Sequence, residues 1–342
     1  MAMDKVLLKK LLGQGIMVTP DTAEEVTEGD YEKIMSEAER PKILDNRRLH
    51  EIRRGQKIRV ISGEAQRAEV TAKDFFEYYK NKIRLLGPAI MRKLTERPVS
   101  INKMRTGQRN TLLGIVREPS ENGFYLEDLT GRCEVSTRAQ ETRENDVIGV
   151  SGLFSGQKVF ADRVVYPELP IKKEIKTTDQ QAKLFFGLAS GNTDEVAEKF
   201  QRTWQGEACG FLINQVPDFR ELVVVASGAE HAEKKTIRAA QAKIAVMLGG
   251  KTFRVQFIQA TKNDSVENLA RASGKRRYVV AEKEIPAQPE DASMIDEDTD
   301  IVFLGEAENS GHANYKGYTF VSAGDRFVVI DLRTRSASLT DF

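Results

Sequence analysis

The spacing of apolar residues changes along the chain and divides it into regions. Near the N-terminus, Val6-Leu7 and Leu11-Leu12 recur at helical spacing, and Thr19-Pro20-Asp21 is typical of a helix start. A third helix is predicted from about Asp30 to Glu39. The pattern therefore predicts a small helical unit over residues 1–44, too small to be an enzyme by itself.

Positive charge is concentrated in the next region, residues 45–98. From Glu51 to Arg109 there are 15 Lys/Arg and 6 Asp/Glu, so this stretch carries 15 − 6 = +9 in a chain whose net charge is +1. Such a segment is either a phosphate-binding surface or a solvated helical face, and both interpretations stay open. The pattern predicts a strand at Lys57–Ile61 and a helix at Asp74–Leu86, which Gly87-Pro88 should end or kink.

Short strand patterns separated by turn signals fill residues 99–170. The turns are predicted at Asn122-Gly123, Thr130-Gly131 and Ser155-Gly156, between five apolar segments. Five short strands in about 70 residues are typical of a closed barrel of the OB type. Such a barrel either binds single-stranded nucleic acid or docks on another protein, and the sequence does not distinguish the two.

Beyond a polar linker at residues 171–182, strand and helix patterns alternate through residues 183–342. Buried-strand runs such as Leu222–Ala226 and Ile301–Leu304 are each followed by a turn residue, and this alternation is typical of a layered α/β domain. Three helices are predicted here, at Asp194–Trp204, Ala232–Leu248 and residues 261–277.

Composition narrows the functional classes. A length of 342 residues suggests two or three domains. Two cysteines and three histidines are too few for a disulfide framework, a four-cysteine zinc site or a histidine-rich metal centre. There is no run of about 18 apolar residues, so we expect no membrane span. The start of the chain leads into no apolar stretch, and we therefore expect a cytoplasmic protein.

Motifs in the central region allow a comparison with a known family. Gly114–Arg117, Leu126–Gly131 and Asp146–Gly152 occur in this order, and Phe160–Pro170 completes the region. On these motifs the chain resembles the small subunit of archaeal family-D DNA polymerases, and Leu11–Pro20 is similar to that family's N-terminal helical domain.

The resemblance implies an α+β multidomain fold. Its parts would be a small N-terminal helical unit, an OB-type β-barrel and an α/β layered calcineurin-like phosphoesterase domain. The corresponding boundaries are 1–44 for the helical unit, 45–98 for a basic linker and helical segment, 99–170 for the barrel and 183–342 for the phosphoesterase domain.

The phosphoesterase of that family hydrolyses phosphodiesters with two metal ions, held by Asp, His and Asn on loops that follow strands. In this chain the matching positions carry mostly residues that cannot bind a metal. These positions are Gly187, Ala189, Ser227, Gly250, Lys251, Glu306 and Glu308. The resemblance therefore implies a degenerate phosphoesterase scaffold with no catalytic residues, no bound metal and no other cofactor.

Three functions compete on this basis. The leading hypothesis is a non-catalytic accessory subunit that scaffolds a large catalytic DNA polymerase subunit, with DNA as a further partner. The second is an active metal-dependent 3′–5′ exonuclease with Glu306 and Glu308 as rearranged ligands. The third is a single-stranded DNA-binding protein. The candidate phosphate contacts are Arg53, Arg54, Arg59, Arg92 and Arg105.

The last residues raise one further possibility. Ser336, Leu339 and Phe342 keep the spacing of a terminal peptide that binds a sliding clamp, but the glutamine and the second aromatic residue of such peptides are missing. The alternative is a final strand with alternating Ala337, Leu339 and Asp341.

Overall fold

A computed structural model describes most of the chain. The described residues are 5–36, 41–46, 48–49, 58–62, 71–138, 141–172, 174–189, 192–204, 207–216, 219–227, 233–237, 241–258, 264–278, 294–306, 309–324 and 326–341.

The N-terminal unit is small and has its own core. Its elements are α1 (Lys5–Gly13), β1 (Met17–Val18), α2 (Pro20–Ala23), α3 (Glu28–Ser36) and β2 (Ile43–Leu44), with β1 and β2 paired in parallel. The predicted helices are thus confirmed, although α3 begins two residues earlier than expected. Buried apolar side chains from these elements form one cluster, which consists of Leu7, Leu11, Ile16, Val26, Ile34, Leu44 and Leu49.

The basic segment supplies strand β3 (Ile58–Ser62) and helix α4 (Ala72–Met91). Thr71 and Asp74 form a capping box at the start of α4. Of the two effects expected at Gly87-Pro88, an end or a kink, the end is wrong, because α4 runs through both residues. An internal proline costs about 3 kcal/mol, and burial of the neighbouring Leu86 and Ile90 against the barrel offsets that cost.

The five strands predicted for residues 99–170 are confirmed, and they close into a barrel in the order β4-β5-β6-β8-β7. Inward-facing residues such as Leu112, Leu126 and Val150 form its core. The strands are β4 (Arg109–Ser120), β5 (Gly123–Asp128), β6 (Gly131–Ser136), β7 (Val147–Ser155) and β8 (Lys158–Val165).

Two six-stranded sheets make up the C-terminal region. The first has the order β12-β11-β10-β9-β18-β19 and the second the order β16-β17-β15-β14-β13-β3. In the first sheet the strands are β9 (Ala182–Ala189), β10 (Glu207–Val216), β11 (Phe219–Ser227), β12 (Glu233–Ile237), β18 (Phe327–Asp331) and β19 (Ala337–Thr340). In the second they are β3, β13 (Gln241–Leu248), β14 (Lys251–Ile258), β15 (Ile301–Glu306), β16 (Gly311–Tyr315) and β17 (Tyr318–Ala323).

The two sheets pack face to face, with one helix on each outer face. A single apolar cluster contains Phe186 and Phe211 of the first sheet together with Val255 and Phe303 of the second. Helix α5 (Thr193–Thr203) covers the first sheet and α6 (Val266–Arg276) covers the second. The result is a four-layer α-β-β-α sandwich, and α5 and α6 confirm two of the three predicted helices.

The third predicted helix, over Ala232–Leu248, is wrong. Residues 233–237 form β12 and Gln241–Leu248 form β13, which pairs with β14 on one side and with β3 on the other. Alanine, lysine, methionine and leucine in this run favour a helix locally. Pairing with two neighbours and burial of Ile244 and Val246 determine the outcome instead.

The polar linker at residues 171–182 is tied to the sandwich. The ammonium groups of Lys172 and Lys176 lie 3.4 and 3.0 Å from the carboxylate of Asp300, which is buried. Lys172 Nζ also donates to the Thr299 carbonyl at 2.5 Å. Burial lowers the pKa of Lys172, while the charge of Asp300 opposes that shift.

Candidate functional site

Of the seven positions matched to phosphoesterase ligands, the six that the structure describes lie at two different ends of the sandwich. Strands β9, β14 and β15 all finish at one end of the sandwich, which we call the carboxyl end. Gly187, Ala189 and Glu306 lie there. Ser227 lies at the other end, since it pairs with Ala208, which in turn pairs with Lys183 near the start of β9.

The turn between β13 and β14, which contains Gly250 and Lys251, also lies at the end opposite to the carboxyl end. The neighbouring Gly249 N–H donates to the Glu207 carboxylate, and Glu207 pairs with Ala182. At a rise of about 3.3 Å per residue, the six steps from Lys183 to Ala189 span about 20 Å. Of the six described positions, three lie at the carboxyl end and three at the opposite end, so these six cannot mark one metal site.

At Gly187, the space that a side chain would need is filled. A Cβ atom built on Gly187 would lie 2.5 to 2.7 Å from three ring atoms of Phe327, the first residue of β18. Phe327 is itself buried with Phe185 and Val329 beneath α5. An aspartate cannot be accommodated at Gly187 without displacing this ring.

The acidic candidates fall partly outside the described residues. Glu308 lies outside them, and for Glu306 only the backbone is described. Among the described residues, no three His, Cys, Asp or Glu side chains are grouped as a metal site would require.

On the barrel surface, outward-facing cations are engaged in ion pairs. Arg117 Nε lies 2.9 Å from Glu127, and Lys158 Nζ lies 2.9 Å from Glu134. Arg132 stacks on the Tyr125 ring at 4.0 Å and pairs with Glu118, and Arg109 makes a two-pronged pair with Asp162. Four cations that a phosphate backbone would attract are thus already paired with carboxylates of the chain.

The candidate phosphate contacts lie on different elements. Arg59 is on β3 at the edge of the second sheet, and Arg92 follows α4 and lies 3.8 Å from Glu297. Arg105 precedes β4 on the barrel. Arg53 and Arg54 lie outside the described residues.

A buried polar cluster joins the barrel to the sandwich. Asp146, at the start of β7, is fully buried and accepts from Arg276 Nε at 2.9 and 3.1 Å. It also accepts from Tyr278 Oη at 2.6 Å and from the Arg143 N–H at 2.8 Å. Burial, together with the Asp146 charge, raises the pKa of Tyr278 well above its ordinary value. The Lys82 ammonium of α4 lies 3.8 Å from the Tyr278 ring centre, so three parts of the chain meet here.

Sequence reasoning missed this cluster. One feature of the sequence could have indicated the cluster: Asp146 begins the apolar run Asp146–Val150. A carboxylate at the start of a buried strand is itself buried and therefore requires a partner. The partner of Asp146 is Arg276 at the end of α6, 130 residues away in the sequence, and no local pattern indicates such a contact.

A second ionic contact lies beside the first. The Glu168 carboxylate, which follows the barrel, accepts from Lys93 at 2.9 Å and from Lys316 and Tyr315 Oη at 2.6 Å each. Burial alone would raise the pKa of Glu168, but these three donors outweigh it and lower the pKa to about 2. Burial raises the pKa of Tyr315, and the hydrogen bond to the Glu168 carboxylate raises it further.

An open groove of about 960 Å³ runs along the barrel beside this junction. We call it the β8 groove. Its walls come from the end of β6 and the residues after it, from β8, and from Lys275 at the end of α6. The lining residues are Asn122, Ser136, Thr137, Arg138, Glu141, Phe160, Ala161, Asp162, Val164, Tyr166 and Lys275.

The C-terminal segment forms the alternative that the sequence allowed, a final strand. Leu339 lies in β19, pairs with Val328 and is 42% exposed. Phe342 lies outside the described residues. Within the described part of the chain, no helix has the length and apolar character needed to cross a membrane.

Comparison with known proteins finds a similarity to a DNA polymerase subunit. No protein-family model matches the chain. The chain is 26% identical over 184 residues to a protein of Archaeoglobus fulgidus named DNA polymerase II small subunit. The alignment covers 49% of this chain and 37% of that protein, so the chain spans little more than a third of its relative's length. The chain is therefore similar to a polymerase small subunit over about half of its residues.

Proposed function

We propose that this chain is a non-catalytic accessory subunit of a replicative DNA polymerase and that it scaffolds a large catalytic subunit. The observation that carries the proposal is the similarity to the DNA polymerase II small subunit of Archaeoglobus fulgidus. The five-stranded closed barrel and the double-sheet sandwich fit the OB-type barrel and the calcineurin-like phosphoesterase domain of that family.

Two features support a scaffold rather than a nuclease or a single-strand-binding protein. At the carboxyl end of the sandwich, the Phe327 ring occupies the space that an aspartate at position 187 would need. On the barrel, Arg109, Arg117 and Arg132 are paired with carboxylates, which reduces their attraction for phosphates.

The junction between barrel and sandwich also suits a scaffold. Asp146 of the barrel and Arg276 of the sandwich form a buried ion pair. Separating the two parts would leave both charges buried without a partner, which costs several kcal/mol of stability, so the pair holds the two parts in one orientation. A rigid pair of modules presents a pre-organised surface to a partner, which lowers the ordering cost of binding.

Affinity isolation from native cells tests the proposal. The full chain, tagged and expressed at its natural level, should copurify with a DNA polymerase catalytic subunit in a stable ratio at moderate salt. Isolation of the chain without any polymerase subunit, from cells in which it is stably folded, would contradict the proposal.

A further inference from the structure

The β8 groove exposes a strand edge. Strand β6 pairs with β8 only over Glu134–Ser136, which face Lys158–Phe160 in parallel register. The chain then leaves the barrel wall, and the Thr137 N–H donates to the Asn122 carbonyl at 2.9 Å. Ala161–Val165 continue along β7, but no described strand pairs with their other side. Each such edge offers unpaired backbone N–H and C=O groups.

The floor of the β8 groove is apolar. Ala161 and Val164 are half-buried members of the barrel core that are reached through the gap between β6 and β8. Phe160 borders the groove and is 52% exposed, and Tyr166 closes its far part. Alternate apolar side chains of an extended peptide would have a surface to contact here.

The rim of the groove has a defined charge. Asp162 is paired with Arg109, and Glu141 is paired with Lys275, whose ammonium also lies 4.3 Å from the Tyr166 ring centre. Arg138 is exposed at the rim. With the other charges compensated, Arg138 favours an acidic side chain on whatever binds.

Local irregularity limits what can pair with this edge. The register between β7 and β8 shifts between Ser151 and Gly152, which leaves Asp162 as an extra residue on β8. A bulge and exposed charges are the usual protection of strand edges against arbitrary pairing. The edge is therefore suited to one matched strand rather than to general aggregation.

We propose that the β8 groove binds an extended, acidic segment of the catalytic partner, which adds a strand to the free edge at Ala161–Val165 and places apolar side chains over Ala161 and Val164. The five residues of this edge span about 16 Å. Because Lys275 of α6 forms one end of the groove, the segment would contact the barrel and the sandwich together. This inference rests on the proposed polymerase-subunit function.

Hydrogen exchange measured by mass spectrometry tests the proposal on the full chain, alone and in its isolated complex with the catalytic subunit. We expect the amides of residues 161–165 to exchange at least tenfold more slowly in the complex, while those of the β5–β6 turn around Leu129 do not change. Arg138→Glu should weaken the complex about tenfold, and Phe160→Ala should also weaken it. Lys103→Glu and Leu129→Ala are matched controls beside the same barrel and outside the groove, and neither should change the affinity.

The outcomes separate the two proposals. A stable complex in which residues 161–165 are not protected would overturn the groove assignment and leave the accessory-subunit function standing. Failure to form any complex would overturn both. Protection of the same amides in the chain alone as its concentration rises would assign the edge to a second copy of the chain, and would likewise overturn the groove assignment.

Discussion

Removing the charge of Asp146, which lies on the barrel, should destabilise the sandwich, because Asp146 pairs with Arg276 of the sandwich. Asp146→Asn keeps the size of the side chain but leaves the Arg276 guanidinium, only 4% exposed, without its counter-charge. Breaking a buried pair costs about 3–5 kcal/mol, and we expect about 3 kcal/mol because the amide retains one acceptor oxygen. With a urea dependence of about 3 kcal/mol per M, the unfolding midpoint should fall by about 1 M.

The single tryptophan provides the assay. Trp204 lies at the end of α5 in the sandwich, 4.1 Å between ring centres from Phe185, so its fluorescence reports unfolding of the sandwich. Asp162→Asn is the matched control. Asp162, like Asp146, pairs with an arginine, but its partner Arg109 lies on the barrel itself and the pair is exposed and screened by solvent. If the Trp204 midpoint of Asp146→Asn falls no further than that of the control, the junction does not couple the two modules.

Three further results are expected. Gly187→Ala should lower the free energy of unfolding, measured in urea, by about 1–3 kcal/mol, because the added methyl group clashes with the Phe327 ring. A second change, Phe327→Leu, should recover part of this loss. An unchanged urea midpoint in Gly187→Ala would contradict the packing. The Glu168 carboxylate has a lowered pKa of about 2, so its stabilisation is complete above the unfolded pKa of about 4.3 and is lost as the pH falls toward 2. Glu168→Gln should therefore flatten the loss of stability between about pH 4.5 and 2, and an equally steep loss would refute the contact. Burial raises the pKa of Cys133 to about 12 and Cys209 is fully buried, so a thiol-specific reagent should label neither until the chain unfolds.

The strands of the barrel could be predicted from the sequence because the turn residues that join them lie between strands that are close together in the sequence. Turn signals such as Asn122-Gly123 and Ser155-Gly156 join strands that are neighbours in the sequence and pair as neighbours in space. Strand β3 was also recognised as a strand. Its partner β13 lies about 180 residues further along the chain, and no local pattern indicates such a pairing.

The arrangement of the candidate site could not be predicted, because strand direction is not visible in a hydropathy pattern. β10 and β11 form a hairpin, so the chain reverses and places Ser227 at the end opposite to Ala189. The run that became β13 has helix-forming residues, and only its two neighbouring strands make it extended. The filling of the Gly187 position by Phe327 depends on a strand 140 residues away.

Reconstitution with the catalytic subunit tests the proposed function most directly. Primer extension and degradation of 3′-ended single-stranded DNA would be measured with Mn²⁺ or Mg²⁺ for the catalytic subunit, for this chain and for the complex. We expect the chain to bind the catalytic subunit and increase primer extension while it degrades no DNA by itself. Metal-dependent degradation by the purified chain, lost in Glu306→Ala or Glu308→Ala, would contradict a non-catalytic scaffold and identify a nuclease.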